Sequence, residues 1–193
     1  MQAVILHLFL TFWGVGCILK ARKGCKIVEF TQWRGCHIAY CAPEGDPHAA
    51  AAALLSQLYR RVTGEALPPV CRTEMGKPYL ENCPWHISVS HTPRHVFCCL
   101  ATENVGIDAE ECDRTAKAVY LSAAEQQKLT ASDRPQQDFL RLWVLKEAYA
   151  KRIGKGVGNY LKATNFSPDD PRVTEIDGCF VAVITEKDDI HAI

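Results

Sequence analysis

The longest stretch with a helical spacing of apolar residues is FLRLWVLKEAYAKRIGKG, in the last third of the chain. Pro135 suits the first turn of a helix and Gly154 suits its end, so a helix is predicted between them. Within it Trp143, Glu147 and Lys151 follow one another at four-residue intervals, which places a ring, a carboxylate and an ammonium on one face. By itself the Glu147–Lys151 pair is also typical of a solvated helix surface.

Shorter patterns predict two further helices and a series of strands. An aspartate–proline pair and a later glycine bracket an alanine-rich helix over 49–62. Ser122 begins a capping-box sequence, which predicts a short helix to about Thr130. The strand at 105–110 is expected to return after the turn that follows the strand at 96–101. Apolar or alternating runs predict strands at 4–12, 27–31, 37–40, 85–92, 96–101, 105–110 and 179–185.

The composition is that of an ordinary globular protein. Of the 193 residues 48% are hydrophobic and 23% are charged, and 22 basic residues balance 22 acidic ones. A chain without net charge creates no long-range field toward nucleic acid or an anionic membrane. Neither partner is therefore expected, and any anion site must be local.

The apolar segment 3–19 has the hydrophobicity of a signal or membrane segment but lacks a basic stretch before it and contains polar residues and glycines. A buried strand and turn is expected there, with a membrane-associated N-terminus as the alternative. The basic residues that follow could meet a phosphate or could lie in an exposed turn. They are Lys20, Arg22, Lys23 and Lys26.

Ten cysteines lack the dense, regular spacing of secreted disulfide scaffolds, and two of them, Cys98 and Cys99, are adjacent in an apolar run. Free thiols in a reducing cytoplasm are therefore expected, and the protein is predicted to be cytoplasmic. A zinc site at Cys36, His37 and Cys41, with Cys17 or Cys25 as a further candidate ligand, is the alternative, although the chain contains no C-x-x-C pair.

Two carboxylates two residues apart suggest a metal site. On a strand, Asp108 and Glu110 face the same side, and burying either without a cation would cost several kcal/mol. Hard oxygen ligands of this kind suit Mg²⁺, which is commonly shared between carboxylates and substrate phosphates. Because Glu111 and Asp113 lie nearby, a solvated acidic strand end remains the alternative.

Two other stretches present polar groups at turns and strand ends. The sequence Gly76-Lys77-Pro78 predicts a stiff turn that presents one cation. The strand at 85–92 ends in Ser90 and His91, which places a hydroxyl and an imidazole at the rim of a sheet. Each of these features alone also suits a purely structural role.

Taken together, four motifs in order resemble the 4'-phosphopantetheinyl transferases of the surfactin-synthetase-activating type. The resemblance extends over about residues 70–160. The motifs are GKPY at 76–79, SVSHT at 88–92, GIDAE at 106–110 and WVLKEAYAK at 143–151, with GKG at 154–156.

The resemblance implies an α+β fold of two pseudo-symmetric α/β halves, 1–103 and 104–193, with coenzyme A at their junction. The first half would bind the coenzyme and the second would carry the metal and the catalytic groups. The implied reaction is Mg²⁺-dependent transfer of 4'-phosphopantetheine from coenzyme A to a serine of an apo acyl or peptidyl carrier protein. It releases adenosine 3',5'-bisphosphate, and a monomer is expected.

The resemblance also implies roles for single residues. Asp108, Glu110 and Glu147 would be the Mg²⁺ ligands, and Glu147 would also act as the base for the carrier hydroxyl. Lys151 would bind the pyrophosphate, so Glu147 and Lys151 are the predicted catalytic pair.

On the coenzyme side, the resemblance implies that Ser90 and His91 meet phosphates and that Lys77 and Pro78 border the nucleotide. The motifs give no assignment for the 3'-phosphate. Two other functions remain possible: a different Mg²⁺-dependent phosphoryl or nucleotidyl transferase, and a catalytically idle relative that binds carriers.

Overall fold

The computed structural model describes residues 25–115 and 120–191, so the apolar segment 3–19, the strand predicted at 4–12 and the basic residues at 20, 22 and 23 lie outside the described residues. The described part mixes helices and sheets, which confirms the predicted α+β class. The strands are β1 Cys25–Trp33, β2 Cys36–Pro43, β3 Val70–Arg72, β4 Pro78–Leu80, β5 His86–His91, β6 Val96–Ala101, β7 Val105–Glu111, β8 Val173–Ile176 and β9 Cys179–Thr185. The α-helices are α1 Pro47–Thr63, α2 Ala123–Thr130 and α3 Pro135–Ile153.

The first sheet has the antiparallel order β1-β2-β6-β5, and α1 packs on one of its faces. The helix begins where predicted, because the Asp46 side chain accepts hydrogen bonds from the backbone N–H groups of His48 and Ala49. It ends at Gly64, whose φ of 79° is the left-handed conformation that glycine adopts readily. Leu54 and Leu58 then point into a buried core between helix and sheet.

The second sheet has the order β7-β9-β8 and carries α3 on its outer face. The expected return of β7 along β6 is wrong, because β7 pairs with β9 in this second sheet. The physical reason is packing on both faces of β7. Ile107 and Ala109 face a core shared with the first sheet, while the other face of the strand lies against α3.

Gly106 explains how closely α3 approaches β7. A Cβ atom at this position would lie only 2.0 Å from the carbonyl oxygen of Ala148 and 2.6 Å from the backbone nitrogen of Arg152. The helix therefore rests directly on the strand, two residues before Asp108. This contact brings the acidic strand and the charged face of α3 together.

The two sheets pack face to face, so the described elements form four layers in the order α1, first sheet, second sheet, α3. Alternating residues of β6 show this arrangement: Cys98 faces α1, while Phe97 and Cys99 face the second sheet. In β9, Val181 faces the first sheet and Ala182 faces α3. Both predicted helix ends in the second half are confirmed, with a capping box at Ser122 and a left-handed Gly154 after α3.

The cysteines differ from expectation at one described position. Cys41 is disulfide-bonded, so the prediction of free thiols is wrong there. This bond also argues against the alternative zinc site at Cys36, His37 and Cys41, and the residues that the structure describes contain no group of three or more ligand side chains poised to hold a metal. Among the residues that the structure describes, the cysteines recorded as free are Cys36, Cys71, Cys83, Cys98, Cys99, Cys112 and Cys179.

Over the described residues, none of the helices is long and apolar enough to cross a membrane.

Candidate active site

The edges of the two sheets meet where β5 lies beside β7. The backbone N–H of Ile107 donates to Ser88 Oγ at 3.0 Å, and that of Ala109 donates to Ser90 Oγ at 3.2 Å. Two serine hydroxyls of β5 thus accept from backbone N–H groups on the edge of β7 that is not paired with β9. This arrangement positions Ser90 next to Asp108 and explains why the SVSH sequence needs both of its serines.

Asp108, Glu110 and Glu147 form an acidic cluster, and Asp108 accepts hydrogen bonds from two side chains. Its Oδ1 accepts hydrogen bonds from Ser90 Oγ at 2.8 Å and from Lys151 Nζ at 2.6 Å. Lys151 also donates to Ser90 Oγ at 3.0 Å, so these three side chains form a closed triangle. The second oxygen of Asp108, Oδ2, is buried and accepts no hydrogen bond. A buried carboxylate oxygen without a partner is costly, and it marks a place where a cation would be stabilised.

Glu110 projects toward the same region and forms an ion pair with Arg114. Burial raises the pKa of Glu110, and the nearby Asp108 raises it further, while Arg114 and the Trp143 indole act in the opposite direction. Arg114 is half exposed, with 49% of its side-chain surface accessible. Its guanidinium is thus the exposed partner of a buried carboxylate.

Glu147 reaches the cluster from α3. Burial raises its pKa to about 7, and the negative charges of Asp108 and Glu110 add to the shift, while Lys151 and Arg114 oppose it. The three predicted metal ligands therefore lie close enough for their charges to interact. The helix places Glu147 one turn before Lys151, as the sequence spacing predicted.

The donor set fits Mg²⁺ in its chemistry, because it consists of carboxylate oxygens and includes the orphaned Oδ2 of Asp108. In the arrangement described, Lys151 and Arg114 neutralise two of the three carboxylates. Among the described residues, no three acidic side chains are arranged so that they could hold a metal ion together in this structure. The metal ligands therefore stay a prediction.

A cleft of about 480 Å³ opens beside this cluster, lined by α1, β5, the segment of β3 and β4, and the C-terminal end of α3. Four predicted site residues, Lys77, Pro78, His91 and Lys151, line it. Ser90 is 2% exposed and is engaged by Asp108 and Lys151 instead. The other lining residues are His48, Ala51, Ala52, Leu55, Val70, Arg72, Met75, Gly76, Ser88, Val89, Ala150, Gly154 and Gly156.

Lys77 lines the cleft, but its ammonium is already bound. It donates to Asn104 Oδ1 and to the backbone carbonyl of Arg152, near the end of α3. Burial lowers the pKa of Lys77 to about 8, and the Arg152 guanidinium contributes to the same shift.

Sequence reasoning missed three polar residues near the site. His48 and Arg72 line the cleft, and the His48 ring lies 5.4 Å from the His91 ring in an edge-on contact. Arg114 lies beside Glu110. The position of His48 in the first turn of α1 was a usable signal, because helix N-termini favour anions. No local signal marks Arg72 or Arg114.

The Trp143 ring is stacked on Phe139 at 6.2 Å and on Tyr120 at 6.5 Å between centroids. Lys146, three residues further along α3, received no role from the sequence. It is fully buried and forms an ion pair with Glu125 at 2.8 Å.

The fold and the site together define a class: an α+β protein with a cleft lined by cationic side chains, next to buried carboxylates. Such a site suits a phosphate-bearing ligand and a divalent cation. Residues 104–190 match the family model of the 4'-phosphopantetheinyl transferase superfamily. Over this segment the resemblance predicted from the motifs is confirmed.

Curated relatives point the same way. The chain is 33% identical over 90 residues to the 4'-phosphopantetheinyl transferase Sfp of Bacillus subtilis (strain 168), a match that covers 44% of this chain and 40% of that protein. It is 32% identical over 100 residues to the 4'-phosphopantetheinyl transferase gsp of Aneurinibacillus migulanus, covering 49% and 41%. It is 35% identical over 88 residues to psf-1 of Bacillus pumilus, covering 42% and 38%. The matches thus span about two fifths of the length of these relatives.

Proposed function

We propose that this protein transfers the 4'-phosphopantetheine group of coenzyme A to a serine hydroxyl of an apo carrier protein. One observation carries the proposal: residues from separate motifs, Lys77, His91 and Lys151, line one cleft beside Asp108 and Glu147. The superfamily match of residues 104–190 and the names of the curated relatives support it.

The lining of the cleft suits coenzyme A in polarity and in charge. It has apolar walls for the nucleotide, formed in part by Pro78 and by the aliphatic part of Lys77. His91 and Lys151 provide polar and cationic groups for phosphates, with Ser90 behind them. Lys151 is 30% exposed, so it can reach a pyrophosphate while it remains next to Asp108.

Asp108, Glu110 and Glu147 would hold Mg²⁺. The ion would neutralise pyrophosphate charge and act as a Lewis acid when bound. The orphaned Oδ2 of Asp108 supports this assignment, because the protein gives that oxygen no hydrogen-bond donor. The ligand set rests on the chemistry of the oxygen donors and on their mutual proximity.

In the proposed reaction the serine oxygen of the carrier bonds to the β-phosphorus of coenzyme A, and the bond from that phosphorus to the leaving bisphosphate oxygen breaks. Glu147 takes the serine proton, directly or through a water molecule. Lys151 balances the negative charge on the leaving group. The products are the phosphopantetheinylated carrier and adenosine 3',5'-bisphosphate.

Further expectations belong to the same proposal. Each sheet with its helix would correspond to one of two pseudo-symmetric halves that meet at the cleft. The protein would act in the cytoplasm as a monomer. Its partner would be an apo acyl or peptidyl carrier protein.

Intact-mass spectrometry of apo carriers tests the proposal. Incubation with coenzyme A and Mg²⁺ should add one phosphopantetheine mass to at least one member of a panel of fatty acid, polyketide and peptide carriers, and a chelator should prevent it. Asp108→Ala and Glu147→Ala should abolish the shift while the protein remains folded.

Full activity in either variant would contradict the residue assignment. The absence of a mass shift with every carrier, together with carrier-independent phosphoryl or nucleotidyl transfer, would favour the other transferase class. Tight carrier binding without transfer would indicate an idle relative.

A further inference from the structure

Lys77 connects the hairpin of β3 and β4 to the C-terminal end of α3. Its ammonium donates hydrogen bonds to Asn104 Oδ1 and to the Arg152 carbonyl. Its aliphatic chain lies against Gly154, where a Cβ atom would be 3.2 Å from Lys77 Cδ. The side chain is thus fixed along its stem and at its charged end.

These contacts have a clear physical basis. The Arg152 carbonyl is one of the last four of α3, and such carbonyls have no partner within the helix. They also carry the partial negative charge of the helix dipole, which attracts an ammonium group. A half-buried ammonium is costly unless it donates to good acceptors, and Asn104 and the carbonyl provide two.

Residues of the hairpin and of the end of α3 both line the cleft. Met75 and Gly76 lie on the hairpin side, and Lys151 and Gly156 lie on or just after α3. Lys77 donates a hydrogen bond from the hairpin to the end of α3. A change in this contact therefore changes the width of the cleft.

We propose that Lys77 is a positioning residue: its ammonium holds the β3–β4 hairpin against the end of α3 and sets the width of the coenzyme cleft, and it is not a phosphate ligand. The inference rests on the proposed function only for the identity of the ligand in the cleft. It agrees with a place for the aliphatic part of Lys77 beside the nucleotide.

Asn104 makes this role testable, because it binds the Lys77 ammonium but does not line the coenzyme cleft. It lies in an adjoining groove with Thr73 and Glu74, and this groove shares Met75, Lys77 and Gly154 with the cleft. If Lys77 is a positioning residue, loss of either partner removes the same contact. If Lys77 binds a phosphate, the loss of Asn104 should leave coenzyme binding unchanged.

The experiment is a double-mutant cycle with Lys77→Met, Asn104→Ala and the combined variant. Asn104→Ala removes one hydrogen bond of the Lys77 ammonium and should raise KM for coenzyme A by about 3- to 10-fold. Lys77→Met removes both hydrogen bonds and should raise KM at least as much, and kcat should change less than about twofold in either variant. The combined variant should be no worse than the worse single variant. Lys77→Arg should retain part of the affinity, because it can still donate to both acceptors. Lys162→Met, which removes an exposed lysine outside the cleft lining, controls for a lost positive charge.

The opposite pattern would overturn the inference. A normal KM in Asn104→Ala, with a raised KM and a weaker salt dependence of coenzyme binding in Lys77→Met, would make Lys77 a phosphate ligand. Additive effects of the two changes on KM would also exclude a shared contact.

A coenzyme-free measurement separates this inference from the proposed function. The melting temperature should fall by about 2–4 °C in each single variant, and the combined variant should fall no further. That result would support the contact even if no carrier were modified. Additive or absent shifts in melting temperature would refute it, and so would coupled shifts in an active enzyme whose KM is unaffected.

Discussion

Two polar clusters lie on different sides of α3, and two adjacent residues of the helix, Lys146 and Glu147, belong to them. Lys146 belongs to the first, with Glu125 of α2. Glu125 accepts from the backbone N–H groups of Ser122 and Phe166 and pairs with Lys146. Lys146 donates in addition to the carbonyl of Leu161 at 2.7 Å. In this cluster one buried carboxylate meets one buried ammonium, and each has further partners.

Glu147 belongs to the second cluster, where charge is not balanced locally. Three carboxylates, of Asp108, Glu110 and Glu147, meet two cations, of Lys151 and Arg114. One buried oxygen of Asp108 has no hydrogen-bond partner. The pKa of Glu147 is raised to about 7 by burial and by its acidic neighbours.

The difference between the two clusters indicates which side of α3 carries the function. A buried polar network in which every group has its hydrogen-bond partners rigidifies the fold and offers no free group to a ligand. A partly unsatisfied network is costly to the fold, and such cost persists at sites that bind something. The first cluster should therefore affect stability, and the second should affect transfer.

The largest expected effect is on stability. Lys146→Met leaves the Glu125 carboxylate buried without its cation, so the free energy of unfolding should fall by about 3–5 kcal/mol. Denaturant titration followed by circular dichroism measures it. The combined change Lys146→Met with Glu125→Gln should recover part of the loss, because it removes the unpaired charge. A loss below about 1 kcal/mol in the single variant would show that the two clusters do not differ as described.

The second prediction concerns transfer. Glu147→Gln removes a proposed base and metal ligand, so the transfer rate should fall by at least about 10²-fold. The melting temperature without added metal should be unchanged or higher, because the change relieves repulsion with Asp108 and Glu110. Initial rates of carrier modification and a thermal melt measure both. Glu175→Gln, which changes an exposed glutamate on β8, is the matched control. A variant that loses stability but keeps its rate would reverse the roles of the two clusters.

The sequence predicted those parts of the fold that have local signals. The ends of α1 and α3 follow from Asp46, Gly64 and Gly154, whose effects act within a few residues. The partner of β7 could not be predicted, because strand pairing depends on which distant surfaces must be buried. Spacing alone cannot tell which charged residue of the pair Lys146 and Glu147 is structural.

The site was predictable to a similar degree. Motif order identified Asp108, Glu147 and Lys151, which the structure brings together with Ser90. It included Ser88 in a motif but assigned it no role, because that role depends on the meeting of two sheet edges. Nor could it show that the Lys77 ammonium is bound to α3, since its acceptors lie 27 and 75 residues away.

The third prediction tests the contact that brings the second cluster together. In Gly106→Ala, the added methyl would overlap the Ala148 carbonyl, so α3 must move away from β7. The free energy of unfolding should fall by about 1–3 kcal/mol. Transfer should fall more than the folded fraction does, because Glu147 moves with the helix. Gly158→Ala is the control, since its Cβ would meet only the Tyr160 ring at 3.4 Å. Equal effects of the two changes on transfer would show that the close approach of α3 does not matter for the site.

The smallest expected effect comes from Arg114→Gln, which provides the sharpest contrast with Lys146→Met. Both changes remove a cation beside a buried carboxylate, but Arg114 is half exposed, so water can replace it at Glu110. The free energy of unfolding should therefore change by less than about 1 kcal/mol, and the change should shrink further in high salt. Denaturant titrations at low and high ionic strength measure this. A fall in the free energy of unfolding as large as that of Lys146→Met, and independent of salt, would mean that water has no more access to the second cluster than to the first. The unsatisfied oxygen of Asp108 would then no longer indicate a binding site.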